Sequence, residues 1–168
     1  DAGPPETSYG TRGLWQIFDG AFGSGRMFAP ADPSLHALNG IEVDTALAEQ
    51  VIRTATGVGF RSSLHIGSMV DFAAIEDRSK FHVGLINPPF SIHFDSPHVS
   101  KWPDVGSFGK FGAGSSTMSQ RLAVAQALAW CEVVAAVVPR TYADNYLAEY
   151  RSTSSRDRSH NQGRLRFV

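Results

Sequence analysis

The apolar positions of this chain fall into short runs, each closed by glycine, proline or a polar cluster. Leu14 to Phe18 is one such run, and it meets Gly20, Gly23 and Gly25, a pattern that predicts a buried strand followed by a tight turn. Asp32, Pro33 and Ser34 predict a turn or the cap of a short helix. Ile41 to Val43 read as a second strand. Thr45 is expected to cap a helix in which Ala46, Leu47, Ala48, Val51 and Ile52 recur at helical spacing. Leu64 to Ile66 predict a third strand, and Val83 to Ile86 a fourth that stops at Asn87, Pro88 and Pro89. Residues 91–116 show no period and predict a long loop, of a length that in compact domains usually serves function. Met118 to Trp130 are helical in pattern. Val133 to Val138 give a fifth strand, uniformly apolar and expected to be buried on both faces. Strands alternating with helices in this order predict a doubly wound, mostly parallel α/β sheet. Ligands of such sheets sit beyond the carboxyl ends of the strands. The core is expected over residues 13–139, with a polar lead-in at 1–12 and a separate segment at 140–168.

Composition narrows the class. With 168 residues, 42% hydrophobic and 18% charged, the chain has the make-up of one globular domain. Its net charge of −1 hides an asymmetry. Residues 1–139 hold 9 Lys and Arg against 13 Asp and Glu, whereas residues 140–168 hold 6 Arg against 3 acids. A basic segment on an acidic body could meet a phosphate backbone, or could simply be a solvated tail. Cys131 is the one cysteine, so no disulfide framework or thiolate metal site is expected, and its neighbours suggest a buried small hydrophobe. The six histidines show no ligand spacing, and no metal is expected. With no apolar run long enough for a membrane span and no secretory leader pattern, a reducing cytoplasm is the expected setting.

Three stretches carry candidate chemistry. In Asp19-Gly20-Ala21-Phe22-Gly23-Ser24-Gly25, glycines after a buried strand admit positive φ and let a ligand approach the backbone. A lone GxG is common in strand-to-helix loops. No Lys-Ser/Thr follows, so this is no phosphate loop, and its spacing differs from the GxGxxG of dinucleotide enzymes. In Glu42-Val43-Asp44, an acid at the second strand's end is placed to accept hydrogen bonds from both hydroxyls of a ribose. Asp44 suits the N-terminus of the following helix, whose dipole favours a carboxylate. The most specific signal is Asn87-Pro88-Pro89-Phe90. Two prolines fix φ and remove two donors, leaving the Asn87 amide on a rigid rim. A strand-terminating turn would use the same residues.

Together these residues resemble the amino-methyltransferase branch of the S-adenosylmethionine (AdoMet)-dependent methyltransferases, over roughly Leu14 to Pro139. The resemblance implies a Rossmann-like methyltransferase fold and AdoMet as cofactor. It assigns Asp19, Gly20, Phe22, Gly23, Gly25, Glu42 and Val43 to the cofactor site, with Ser68 or Asp71 meeting the cofactor adenine. Asn87, Pro88, Pro89 and Phe90 look like the family's catalytic tetrapeptide. A glycine motif preceding the tetrapeptide is similar to the class that includes many adenine-N6 DNA methyltransferases, which makes adenine in DNA the expected acceptor. Guanine-N2 methylation of ribosomal RNA, protein-glutamine methylation and a non-catalytic AdoMet-binding subunit remain alternatives. Such enzymes usually carry further strands and a target-recognition region, so recognition is expected from a missing part of the chain or from a partner. Lys101 and Lys110, among loop aromatics, and Arg156 and Arg158 in the basic segment are the expected nucleic-acid contacts.

Overall fold

The computed structural model describes residues 13–69, 81–90, 92–94 and 117–144. Along them run β1 (Trp15–Asp19), a 3-10 turn (Arg26–Phe28), β2 (His36–Glu42), α1 (Thr45–Val58), β3 (Arg61–Ile66) and β4 (Phe81–Ile86). There follow β5 (His93–Phe94), β6 (Thr117–Met118), α2 (Ser119–Trp130) and β7 (Cys131–Ala136). A five-stranded sheet has the order β3-β2-β1-β4-β7, and every pairing in it is parallel. The order reverses between β1 and β4, which makes the carboxyl ends of these two strands the switch point of a doubly wound sheet. The expected fold class is the one observed.

Each face of the sheet buries its own cluster. On one side Ile17 of β1 and Leu38 of β2 pack with Phe22, Phe28 and the α1 residues Ala48, Val51 and Ala55. On the other side Phe18 and Ile86 pack with Leu122, Ala123, Ala127 and Leu128 of α2. Phe18 is fully buried there, stacked on Phe81 at 4.8 Å and edge-on to Trp130 at 5.7 Å. Ile17 and Phe18, neighbours on β1, therefore feed opposite cores, so both faces of the strand are covered.

Several boundaries move. The cap of α1 is Asp44, not Thr45: the Asp44 carboxylate accepts the Leu47 N–H at 3.0 Å, and Thr45 is the first helical residue. β2 begins at His36, five residues before the apolar run, because Asn39 interrupts the pattern yet is satisfied internally. Its amide donates to the Gln16 side chain at 3.0 Å and to the Ile17 carbonyl at 3.1 Å. β4 likewise starts earlier, at Phe81, and buries His82, whose Nδ1 accepts the Gln16 N–H at 2.9 Å. The expectation that the last strand is buried on both faces is incorrect. β7 lies at the edge of the sheet among the described residues, and only Cys131 and Val134 are buried, with Val133 53% exposed. The expected loop 91–116 contains one strand of a short antiparallel pair, in which His93 and Phe94 pair with Met118 and Thr117. No helix among the described residues is long and apolar enough to cross a membrane.

Candidate active site

Three strand ends converge around the switch point. β1 delivers Asp19 and the turn to Gly25, β2 delivers Glu42, and β4 delivers the tetrapeptide. The turn is shaped by glycines at φ 52° for Gly23 and 75° for Gly25, values that a side chain would strain. Gly25 is doubly constrained, since a Cβ there would come within 3.1 Å of Val51. The space above Gly23 is open, with no atom within 4 Å of where a Cβ would stand. A ligand can therefore reach the backbone of the turn.

Glu42 organises this turn. Its carboxylate is buried and accepts the Gly23 N–H at 2.7 Å on one oxygen and the Asp44 N–H at 2.8 Å on the other. Each oxygen keeps a further lone pair for a ligand hydroxyl. The same side chain thus fixes the loop and remains able to accept. Beside it lies Asp19, 1% exposed, whose Oδ1 accepts the Ala21 N–H at 3.0 Å. Burial pushes the Asp19 carboxyl up to about 7; the Ala21 hydrogen bond opposes that rise and the negative Glu42 adds to it. Two buried acids thus stand at adjacent strand ends, where a nearby positive charge would favour the ionised form of Asp19.

The other expected cofactor residues fall unevenly. Phe22 is buried in the α1-side core, 6.1 Å from the Phe28 ring, so its side chain serves packing. Val43 is 69% exposed just past β2. Ser68 is half-buried two residues past β3, while Asp71 lies outside the described residues, as do Lys101, Lys110, Arg156 and Arg158.

Asn87 to Phe90 leave β4 as an arch. Asn87 is exposed, Pro88 is buried, and the Phe90 ring is 43% exposed. One foot is Ile86, buried at 1% and bonded through its carbonyl to the Val137 N–H at 2.9 Å. The other foot rests on α2, where the Ser119 hydroxyl donates to the Pro89 carbonyl at 2.5 Å. Ser119 drew no attention in the sequence, although a serine at the first turn of a helix is a recognisable signal. Gln126 was also missed. Buried on α2, it donates to the Met69 carbonyl at 3.3 Å, and its Oε1 lies 2.5 Å from where a Cβ on Gly20 would stand. An amide on the core side of an Ala- and Leu-rich helix was its signal. Among the described residues no group of three His, Cys, Asp or Glu side chains could hold a metal ion.

No protein-family model matches the chain, and no curated protein matches it by sequence. Solved structures do match. A candidate class I S-adenosylmethionine-dependent methyltransferase from Listeria monocytogenes superposes with a TM-score of 0.60 at 12% identity, over 82% of this chain and 44% of that one. A candidate RNA methyltransferase from Pyrococcus horikoshii superposes with a TM-score of 0.52 at 15% identity, over 80% of this chain and 56% of that one. The chain thus spans about half the length of these two structures. Its architecture is the Rossmann-like, doubly wound fold that they share.

Proposed function

We propose that this chain is an AdoMet-dependent amino-methyltransferase whose acceptor is the exocyclic N6 amine of adenine in DNA. The observation that carries the reading is the Asn87-Pro88-Pro89-Phe90 arch. Its Asn87, Pro89 and Phe90 stand exposed at the end of β4, next to β1 and its glycine turn in the sheet order. Likeness in fold to methyltransferases supports the class, and the tetrapeptide supports an amine as acceptor.

The residues present suit AdoMet. The open backbone of the Gly23 turn, the acceptor lone pairs of Glu42 and the buried Asp19 carboxyl answer to a ligand with ribose hydroxyls and positive charge. Glu42 would hold the ribose, the turn from Gly20 to Gly25 would carry the methionine portion, and Ser68 or Asp71 would meet the adenine. When bound, AdoMet supplies an electrophilic methyl group on a sulfonium.

The chain supplies position. An exocyclic amine is a poor nucleophile because its lone pair is delocalised into the ring. The Asn87 side-chain oxygen and the Pro88 carbonyl accept its two N–H groups, which favours a pyramidal nitrogen with its lone pair free. The proline pair holds these acceptors without relaxation, so the contribution is orientation and electrostatics, with no covalent enzyme intermediate. Phe90 offers an exposed ring on which a base turned out of the duplex can stack. Recognition of a sequence falls to other segments or a partner, with Lys101, Lys110, Arg156 and Arg158 as sequence-tolerant phosphate contacts.

Incubation with methyl-labelled AdoMet and, separately, adenine-containing DNA, ribosomal RNA and a glutamine-bearing release-factor-like protein tests the assignment. Label recovered as N6-methyladenine from DNA is the expected product. Label confined to guanine in RNA or to glutamine moves the acceptor while keeping the class. Transfer to none of them refutes the catalytic reading.

A further inference from the structure

We infer that Ser119 is the positioning residue of the Asn87–Phe90 arch, locking it into its competent shape from the first residue of α2. The inference rests on the reading of the arch as the acceptor-amine site. Three bonds meet at Ser119. Its hydroxyl donates to the Pro89 carbonyl at 2.5 Å, the same oxygen accepts the Ile92 N–H at 3.3 Å, and its own N–H donates to the Ile92 carbonyl at 2.8 Å. The Gln120 side-chain oxygen, at 3.3 Å, is the weaker alternative acceptor for the hydroxyl hydrogen.

The arch needs such a lock at this foot. Proline residues set φ but leave ψ free, and an arch held only by β4 could swing about Pro89. At the β4 foot the Val137 N–H pins Ile86. At the far foot the prolines offer no amide hydrogen, so only the Pro89 carbonyl and the backbone beyond it are available for anchoring. Ser119 takes both. It is fully buried, and α2 is itself seated by Leu122, Ala123 and Ala127 in the core beneath β4. The β5–β6 ladder continues the same attachment through His93 with Met118. A hydroxyl is the group required, because it must donate to one backbone atom while accepting from another. Ser119 touches neither Asn87 nor the glycine turn in this network, so its effect on the reaction runs through the arch alone.

The test compares wild type with Ser119→Ala and Ser119→Thr, using AdoMet and an adenine-containing DNA oligonucleotide. Ser119→Ala is expected to lower kcat by about tenfold or more, as a misplaced acceptor would, with KM for AdoMet within about twofold of wild type. Ser119→Thr, which keeps the hydroxyl, is expected to recover most of that loss. In hydrogen exchange the Ile92 amide of Ser119→Ala should exchange about tenfold faster, with the amides of β1 and α1 unchanged. A kcat within about twofold of wild type, or unchanged exchange at Ile92, overturns the inference. If wild type transfers no methyl group to DNA, RNA or protein, the reading of the arch fails, and the exchange of Ile92 alone still decides whether Ser119 holds it. Should either variant lose the α1 protection, the effect is global unfolding and the positioning role is rejected.

Discussion

Asp19 and Glu42 are both acids at strand ends, yet their surroundings give them opposite duties. Glu42 has backbone N–H groups on both oxygens, whereas Asp19 has one and is otherwise enclosed, which leaves its carboxyl up at about 7. The ordinary value is 3.8, so between there and about 7 the folded chain keeps a proton that the unfolded chain has released. Stability from this group is therefore complete below 3.8 and lost as pH rises to about 7. Urea unfolding should show wild type losing stability relative to Asp19→Asn across that window and holding a constant deficit above it. A difference independent of pH would mean that Asp19 is ionised in the fold throughout. A cationic ligand reverses the preference, and AdoMet affinity should weaken as pH falls below about 7. Glu42→Ala removes the acceptor pair and frees the Gly23 N–H; calorimetry should read a loss of AdoMet binding on the order of 1–3 kcal/mol. Equal affinity in the two proteins would take Glu42 out of the site.

Among the elements, α1 offers the cleanest check on how sequence becomes local structure. Its N-terminus is closed by the Asp44 side chain, and the exposed setting of that residue leaves little else to perturb. Asp44→Ala should cost about 1 kcal/mol in urea unfolding. No loss would show that solvent caps the helix equally well. Elements that bury a continuous apolar face were legible in the sequence, β1, β4 and α2 above all. The first half of β2 was not, because Asn39 and Gly40 break the apolar pattern. Asn39 is instead bonded inside the sheet, and Gly40 lies where a Cβ would overlap the Asp19 carbonyl. β3 was cut short for a related reason. Outermost among the described strands, it exposes Arg61, Ser62 and Ser63, and only Leu64 packs inward against the α1 side. The apolar run from Val133 suggests two covered faces, but β7 is outermost among the described strands, and Val133 and, just past the strand, Val137 are exposed. Sequence registers hydrophobicity, whereas burial depends on which strand happens to be outermost. The tetrapeptide is legible because a polar residue, two prolines and an aromatic in succession at a strand end are rare, while its fastening to Ser119 joins positions 30 residues apart and leaves no local trace.

At the scale of the molecule, the reversal of strand order between β1 and β4 gathers the acids, the glycine turn and the arch at one end of the sheet. Nucleic acid is proposed to meet this end through basic segments outside the described residues. If Arg156 and Arg158 hold phosphates, replacing both with Ala should flatten the dependence of log affinity on log salt by up to about two units. An unchanged slope would assign DNA contact elsewhere or to a partner. The central claim is that one end of this sheet holds AdoMet and acceptor amine in separate seats, and Asn87→Ala tests it most directly. AdoMet affinity by calorimetry and methyl transfer to adenine-containing DNA are measured on the same protein. The account predicts an AdoMet Kd within about twofold of wild type with transfer reduced by about a hundredfold or more, the loss expected when a positioned hydrogen-bond acceptor is removed. Transfer within about threefold of wild type, or AdoMet binding lost together with transfer, would contradict it.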